Sequence, residues 1–215
     1  MGAMDGDGAV AAVAAADPLM GAFISRASPF EPRAGAGDYF ASLARAILYQ
    51  QLAGRAAAAI HARFVQAIGG EVTPRAVLNT SPEALRAAGL SGNKAAAIVD
   101  LATKVADGTV PLAELHELDD EEIIGRLSSV RGIGRWTAEM FLLFELRRPD
   151  VWPVDDYGVR NGWTLIHSLP AIITPRELRQ EGERFRPFRS VAAWYCWRAV
   201  SLLRGDLVLP QAAEP

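Results

Sequence analysis

Apolar positions recur at helical spacing along most of the chain. Phe40, Leu43, Ile47 and Leu48 share one helical face, introduced by Asp38 as a cap. Gly54 opens an Ala-rich segment that ends at "IGG". Thr73–Pro74 and Ser81–Pro82 each read as an N-cap followed by proline in the first turn, and Gly89 closes the second helix. In "GNKAAAIVDLATKVADG", Ile98, Leu101, Ala102 and Val105 fall on one face, and Gly108 is the stop signal. Asp119 with Glu122, and Thr174 with Glu177, fit capping-box starts. The segment "WTAEMFLLFEL" is apolar nearly all round, which predicts a buried central helix. Val159, Trp163 and Ile166 form another stripe, and Val191, Trp194, Tyr195, Trp197 and Leu202 mark the last long helix. Strand signals are almost absent. The pattern predicts about ten helices and an all-α fold. Residues 1–35 are rich in Ala and Gly and read as a partly disordered segment, ahead of a helical domain spanning 36–210.

Composition narrows the class. The chain has 215 residues, room for one large domain or two small lobes, and half of them are apolar, enough for a real core. No apolar run approaches the roughly 20 residues that span a bilayer. "GAVAAVAAADPLM" follows Asp5 and Asp7 rather than basic residues, so it is a poor signal peptide. Cys196 is the single cysteine, which excludes an internal disulfide and any Cys-rich zinc or iron–sulfur site, with a reduced, cytoplasmic setting as the default. The histidines His61, His116 and His167 have no ligand-like spacing.

Charge alone points away from nucleic acid, since the formal net charge is −3. The average hides an asymmetry. Arg176 to Arg204 holds seven arginines against three acids, and Arg131 to Arg148 adds four more arginines. A solvated arginine surface is the plain reading of that pattern, and a phosphate-binding face is the other.

Two short motifs carry the candidate chemistry. In "VRGIGRWTAEM", Gly132 and Gly134 flank Ile133 at a turn that opens a helix. Glycine permits positive φ and close backbone approach, and a helix N-terminus offers unpaired amides to an anion. The turn is therefore either an ordinary interhelical corner or a phosphodiester clamp flanked by Arg131 and Arg135. In "VWPVDDYGVR", Asp155 and Asp156 precede another helix. One acid can cap it while the other sits in the positive first turn; alternatively, one carboxylate is held toward a cleft, where it could stabilise a developing cation or orient water. Trp152, Tyr157 and Trp163 surround the pair.

Four segments in order, "AILYQQLAGRAA", "VRGIGRWTAEMFLLF", "WPVDDYGVR" and "RPFRSVAAWYCWR", resemble the helix-hairpin-helix DNA glycosylases. The resemblance spans roughly Asp38 to Gly205. It implies a two-lobed, all-α protein with the hairpin at about 121–146 and no iron–sulfur cluster. Such a protein grips damaged double-stranded DNA, turns a nucleotide out of the stack and hydrolyses its glycosidic bond; alkylated purines of the 3-methyladenine and 7-methylguanine type are the implied substrates. Asp156 matches the family's catalytic aspartate, with Asp155 as a cap or supporting group. Tyr157, Trp197, Trp136, Met140 and Trp194 fall at or near base-pocket positions. Gly132, Gly134 and Thr137 would donate amides to phosphate, with Arg131, Arg135 and Arg189 nearby. The wedge entering the gap in the duplex would be Gln51 or Leu52.

No cofactor is required by the resemblance, although the carbonyls of Ser128, Val130 and Gly132 would match a structural sodium or potassium site. A monomer, DNA as partner, no membrane and a bacterial, nucleoid-associated location complete the implied picture. Trp136 stands where lyase-competent relatives carry a lysine, and Lys94 and Lys104 lie far from the hairpin in sequence, so a monofunctional enzyme is expected. Arg131 replaces a proline common in such hairpins, and Met140 replaces a pocket aromatic of some members. A non-catalytic damage-binding protein built on the same hairpin is the alternative.

Overall fold

The computed structural model describes residues 6–31, 35 and 37–203. They form α1 (Gly6–Ala16), α2 (Pro18–Ile24), α3 (Tyr39–Tyr49), α4 (Gly54–Ala67), α5 (Pro74–Leu78), α6 (Pro82–Ala87), α7 (Gly92–Ala106), α8 (Asp120–Ser128), α9 (Arg135–Phe144), α10 (Tyr157–Ile166), α11 (Pro175–Gly182) and α12 (Arg189–Leu203), with a 3₁₀ turn at Glu183–Phe185. No strand occurs among the described residues. The chain divides into a central unit, 34–146, and a terminal unit that joins 1–33 to 147–215. No helix among the described residues is long and apolar enough to cross a membrane.

The expected helix starts are present for the expected reason. Side-chain oxygens of Asp38, Thr73, Ser81 and Asp119 accept from amides three residues on. Thr174 and Glu177 close a reciprocal capping box.

Part of the N-terminal stretch is ordered. Gly6–Ile24 is helical, and Ala9, Val13 and Met20 are buried in the terminal unit. Asp17 caps α2 by accepting from the Met20 amide at 2.9 Å, and it also receives Arg184 at 3.0 Å and faces His167 Nε2 at 3.1 Å. An Ala-rich composition masked a helix pair that buries Ala9, Val13 and Met20 in one core. The calls on residues 1–5, 32–34 and 204–210 lie outside the described residues.

In the terminal unit, Trp152, Trp163, Phe185 and Tyr195 dominate the core. Gly162 lets α10 and α12 touch backbone to backbone, since a Cβ there would stand 1.9 Å from the Cys196 carbonyl oxygen. Cys196 is fully buried; burial, then the charges of Asp156 and Asp17, push its thiol far above the ordinary range. The central unit packs Leu43, Ile47 and Leu48 of α3 with Phe64, Ile98, Leu101, Ile123 and Leu142.

One expectation about α9 fails. Ala138, Phe141, Leu142 and Leu143 are buried, but Trp136 and Phe144 remain 47% and 40% exposed and Met140 is half-buried. The helix is apolar all round because its second face lines a groove rather than a core.

Candidate functional site

The central unit carries the hairpin. α8 ends at Ser128, and Gly132 takes a φ of +81° that a side chain would strain. Ile133 is 3% exposed and plugs the turn into the core. Gly134 starts α9 and has no side chain to cap its first-turn amides, whereas neighbouring α7 and α8 are closed by Ser91 and Asp119. An uncapped helix start behind a left-handed glycine is a suitable anion seat.

The charges around this seat differ from the expectation. Arg135 is engaged with Glu121 and with Glu139, whose Oε1 accepts at 3.0 Å, and its guanidinium holds the Glu121 carboxyl below the usual carboxylate range. Arg131 reaches the Asn93 side chain, and its own amide donates to Asp100 Oδ2 at 2.7 Å. Lys104 was remote in sequence, yet its ammonium bonds the Ser129 carbonyl on the hairpin itself. Two of the three expected carbonyls already accept hydrogen bonds. Gly132 O accepts from Gln50 Nε2 at 2.9 Å, and Val130 O accepts from the Ile133 amide at 3.1 Å.

The wedge candidates sit at the end of α3. Gln51 is exposed with a φ of +57°, unusual for a residue with a side chain, and Leu52 is 38% exposed. Lys94 donates to the carbonyls of Leu48 and Gln50, at 2.6 and 2.8 Å. Beside this turn opens a groove of about 620 Å³ lined by Tyr49, Gln50, Gln51, Trp136, Thr137, Met140 and Phe144 among others. Its size and apolar walls suit a flat aromatic ligand. The Arg45 guanidinium lies 4.2 Å from the Tyr49 ring centroid.

The terminal unit carries the acids. Ser190 pins the strand-like segment ahead of them: its hydroxyl donates to Arg148 O at 2.6 Å and accepts from the Val151 amide at 2.9 Å. Trp152 donates its indole proton to Leu178 O at 2.8 Å and packs over Gly182, where a Cβ would collide with the ring. The chain then turns through Pro153 into α10. The cap role expected of Asp155 belongs instead to Asp156. Asp155 is exposed, while Asp156 is 9% exposed and accepts from the Val159 amide at 2.8 Å. The same oxygen, Oδ1, accepts from Trp197 Nε1 at 2.8 Å. One carboxylate thus starts the helix, sits at its positive end and is fixed in orientation by an indole.

The other terminal-unit candidates divide. Tyr157 is 58% exposed and available to a ligand. Trp197 acts through its edge on Asp156 as well as its ring. Trp194 is drawn into packing, edge-on to Phe30 and Tyr195 with Arg198 over its face. Arg189 has a structural role. It grips Asp150 through Nε and Nη2, with Glu183 also in reach, and is 14% exposed. Much of the arginine excess is consumed this way, since Arg184 and Arg186 are paired as well.

Sequence reasoning missed Gly158. A Cβ there would meet Trp197 at 2.7 Å and Asp156 Oδ1 at 3.0 Å, so the indole–carboxylate bond requires glycine. The spacing D-x-G before a helix was the available signal. Lys94 and Gln50 were missed as supports of the wedge turn, because backbone carbonyls as partners leave no trace in a sequence.

The profile of the HhH-GPD superfamily base excision DNA repair proteins matches residues 44–187. DNA-3-methyladenine glycosylase 1 of Schizosaccharomyces pombe is 40% identical over 166 residues, 76% of this chain and 73% of that protein. A solved 3-methyladenine DNA glycosylase from Schizosaccharomyces pombe in complex with abasic DNA has a TM-score of 0.79 and 34% identity, covering 94% of this chain and 99% of that one. A DNA-3-methyladenine glycosidase from Bacillus halodurans superposes with a TM-score of 0.86 at 32% identity, covering 92% and 91%.

Proposed function

The chain belongs to the HhH-GPD superfamily of base excision DNA repair proteins and is a DNA glycosylase; we propose that it acts on alkylated purines of the 3-methyladenine and 7-methylguanine type in duplex DNA and leaves the strand intact. The observation that carries this reading is the Asp156 carboxylate, buried, oriented by Trp197 and seated at the start of α10.

Turning a nucleotide out of the duplex costs a few kcal/mol, least where damage has weakened stacking or pairing. The hairpin seat at Gly132–Gly134 holds a phosphodiester of the strand, and the turn at Gln51 fills the gap. A purine methylated on a ring nitrogen is cationic, and an exposed aromatic face such as that of Tyr157 favours it by ~0.5–2 kcal/mol. When the bond from C1′ to the base nitrogen breaks, its electron pair leaves with the base, which departs neutral. No acid is needed for that step. The positive charge left on the sugar is stabilised by Asp156; water then adds to C1′ and gives up a proton, leaving an abasic site.

Lys94 and Lys104 both bond backbone carbonyls, which supports a monofunctional reaction. A cytoplasmic, nucleoid-associated location fits this reading.

The test is Asp156→Asn. Asparagine keeps an oxygen for the Val159 amide and for Trp197, so helix content should not change. Release of methylated purine should fall by about 10²–10³-fold, the scale of losing one stabilising group in the transition state. Undiminished release would exclude Asp156 as the acting group. Wild-type protein that binds abasic duplex but frees no base would instead identify a damage-binding protein.

A further inference from the structure

α7 presents Lys94, Ala97, Asp100 and Lys104 three or four residues apart, along one stripe of the helix. That stripe supports both DNA-directed turns of the central unit. At its start, the Lys94 ammonium donates to Leu48 O at 2.6 Å and Gln50 O at 2.8 Å. In its middle, the Ala97 methyl would lie 3.3 Å from a Cβ on Gly132. At its end, Asp100 Oδ2 accepts from the Arg131 amide at 2.7 Å and from Lys104 at 2.9 Å, while Lys104 also bonds Ser129 O. Gln50 closes the ring by donating from Nε2 to Gly132 O at 2.9 Å.

The arrangement is unusual within its own unit. Helices α4 to α9 each end with the amide of the cap residue donating back into the helix. The end of α3 is served instead by a lysine from another helix. The chain then enters the left-handed conformation at Gln51. A half-buried ammonium is a costly cap, since burial lowers its pKa from the ordinary lysine value. Capping alone does not call for it; holding the following residue at a set position does.

We propose that Lys94 is a positioning residue for base eversion: acting through the carbonyls of Leu48 and Gln50, it fixes the wedge turn relative to the phosphate-gripping hairpin. The inference rests on the glycosylase reading above. Two turns that must act on one strand are held in register by one rigid helix, so the wedge enters the duplex already placed.

The experiment compares Lys94→Met with the wild type in single-turnover release of 7-methylguanine from two duplexes. In one the lesion faces cytosine; in the other it faces a mismatched base, where eversion costs less. The variant should be slower by roughly tenfold or more on the paired lesion and by less than about threefold on the mismatched one. Lys94→Arg should recover most of the paired-lesion rate. Equal losses on both duplexes, or no loss on either, would overturn the proposal. If Lys94→Met does not fold, Gln50→Met cuts the same ring at a more accessible position. It must show the same split between duplexes, and an equal loss overturns the proposal. A wild-type protein that frees no base from either duplex sinks the glycosylase reading, and this inference with it; a wild type that frees base while Lys94→Met keeps pace sinks the inference alone.

Discussion

The two units use glycine for opposite ends. In the terminal unit, Gly158 and Gly162 sit in helix α10 with ordinary helical backbone, and their value is the missing Cβ: one admits the Trp197 indole, the other the backbone of α12. In the central unit, a Cβ on Gly132 would press on the Ala97 methyl alone, at 3.3 Å, and its chief value is a left-handed turn. On the function proposed above, the difference follows from what each unit would recognise. A developing charge on one sugar atom calls for a particular carboxylate in a particular orientation, so side chains interlock around it. A phosphodiester is the same at every step of the duplex, so backbone amides at a shaped turn suffice.

Substitutions at these glycines should therefore fail in different ways. Gly162→Ala should have the largest effect, destabilising the protein by about 3 kcal/mol or more, because α10 and α12 must part. A urea midpoint unchanged from wild type would contradict the close contact. Gly158→Ala should destabilise by about 1–3 kcal/mol but slow base release by roughly 10–100-fold, since it displaces the Trp197–Asp156 bond. Its affinity for abasic duplex should hardly change, and a parallel loss of affinity would argue against so local an effect. Gly132→Ala should cost about 1–2 kcal/mol for the left-handed backbone and weaken binding to damaged and undamaged duplex alike. A loss confined to damaged duplex would place the hairpin in lesion recognition rather than strand gripping.

The smallest effect sharpens the contrast through pH. Burial alone would raise the Asp17 pKa, but the Met20 amide, His167 and Arg184 outweigh it and hold it below the ordinary 3.8. A carboxyl depressed in the folded state adds stability that is present above its ordinary value and lost as the pH falls through the lowered one. The wild type should therefore lose stability below about pH 4 by an increment that Asp17→Asn lacks, on the order of 1 kcal/mol. Identical acid profiles for the two proteins would remove Asp17 from the stability of the terminal unit.

Much of this was legible in the sequence because it is local. Caps, helix faces and the hairpin glycines act within a few residues, and Asp38, Thr174 and Gly132 behave as their neighbourhoods predict. The residues that went astray act at long range. The partner of Arg189, Asp150, lies 39 positions away. Lys104 looked remote until α7 carried it to the hairpin. The exposure of Trp136 was invisible because an apolar residue facing a groove has the same letter as one facing a core. Asp155 and Asp156 exchanged the expected cap role because only the turn geometry decides which of two adjacent acids points along the helix axis.

The buried sulfur of Cys196 has a chemical corollary. Electrophiles that methylate purines also attack thiolates, and thiols react only as far as they are ionised. A repair protein with an accessible, ionised cysteine would be poisoned by the same exposure that creates its substrate. This chain has one cysteine, sealed beneath α10 and kept as the neutral thiol by its surroundings and by the negative charge of Asp156. Burial foremost, with the negative charge of Asp156 adding to it, thereby keeps this sulfur from the agent that makes the lesion.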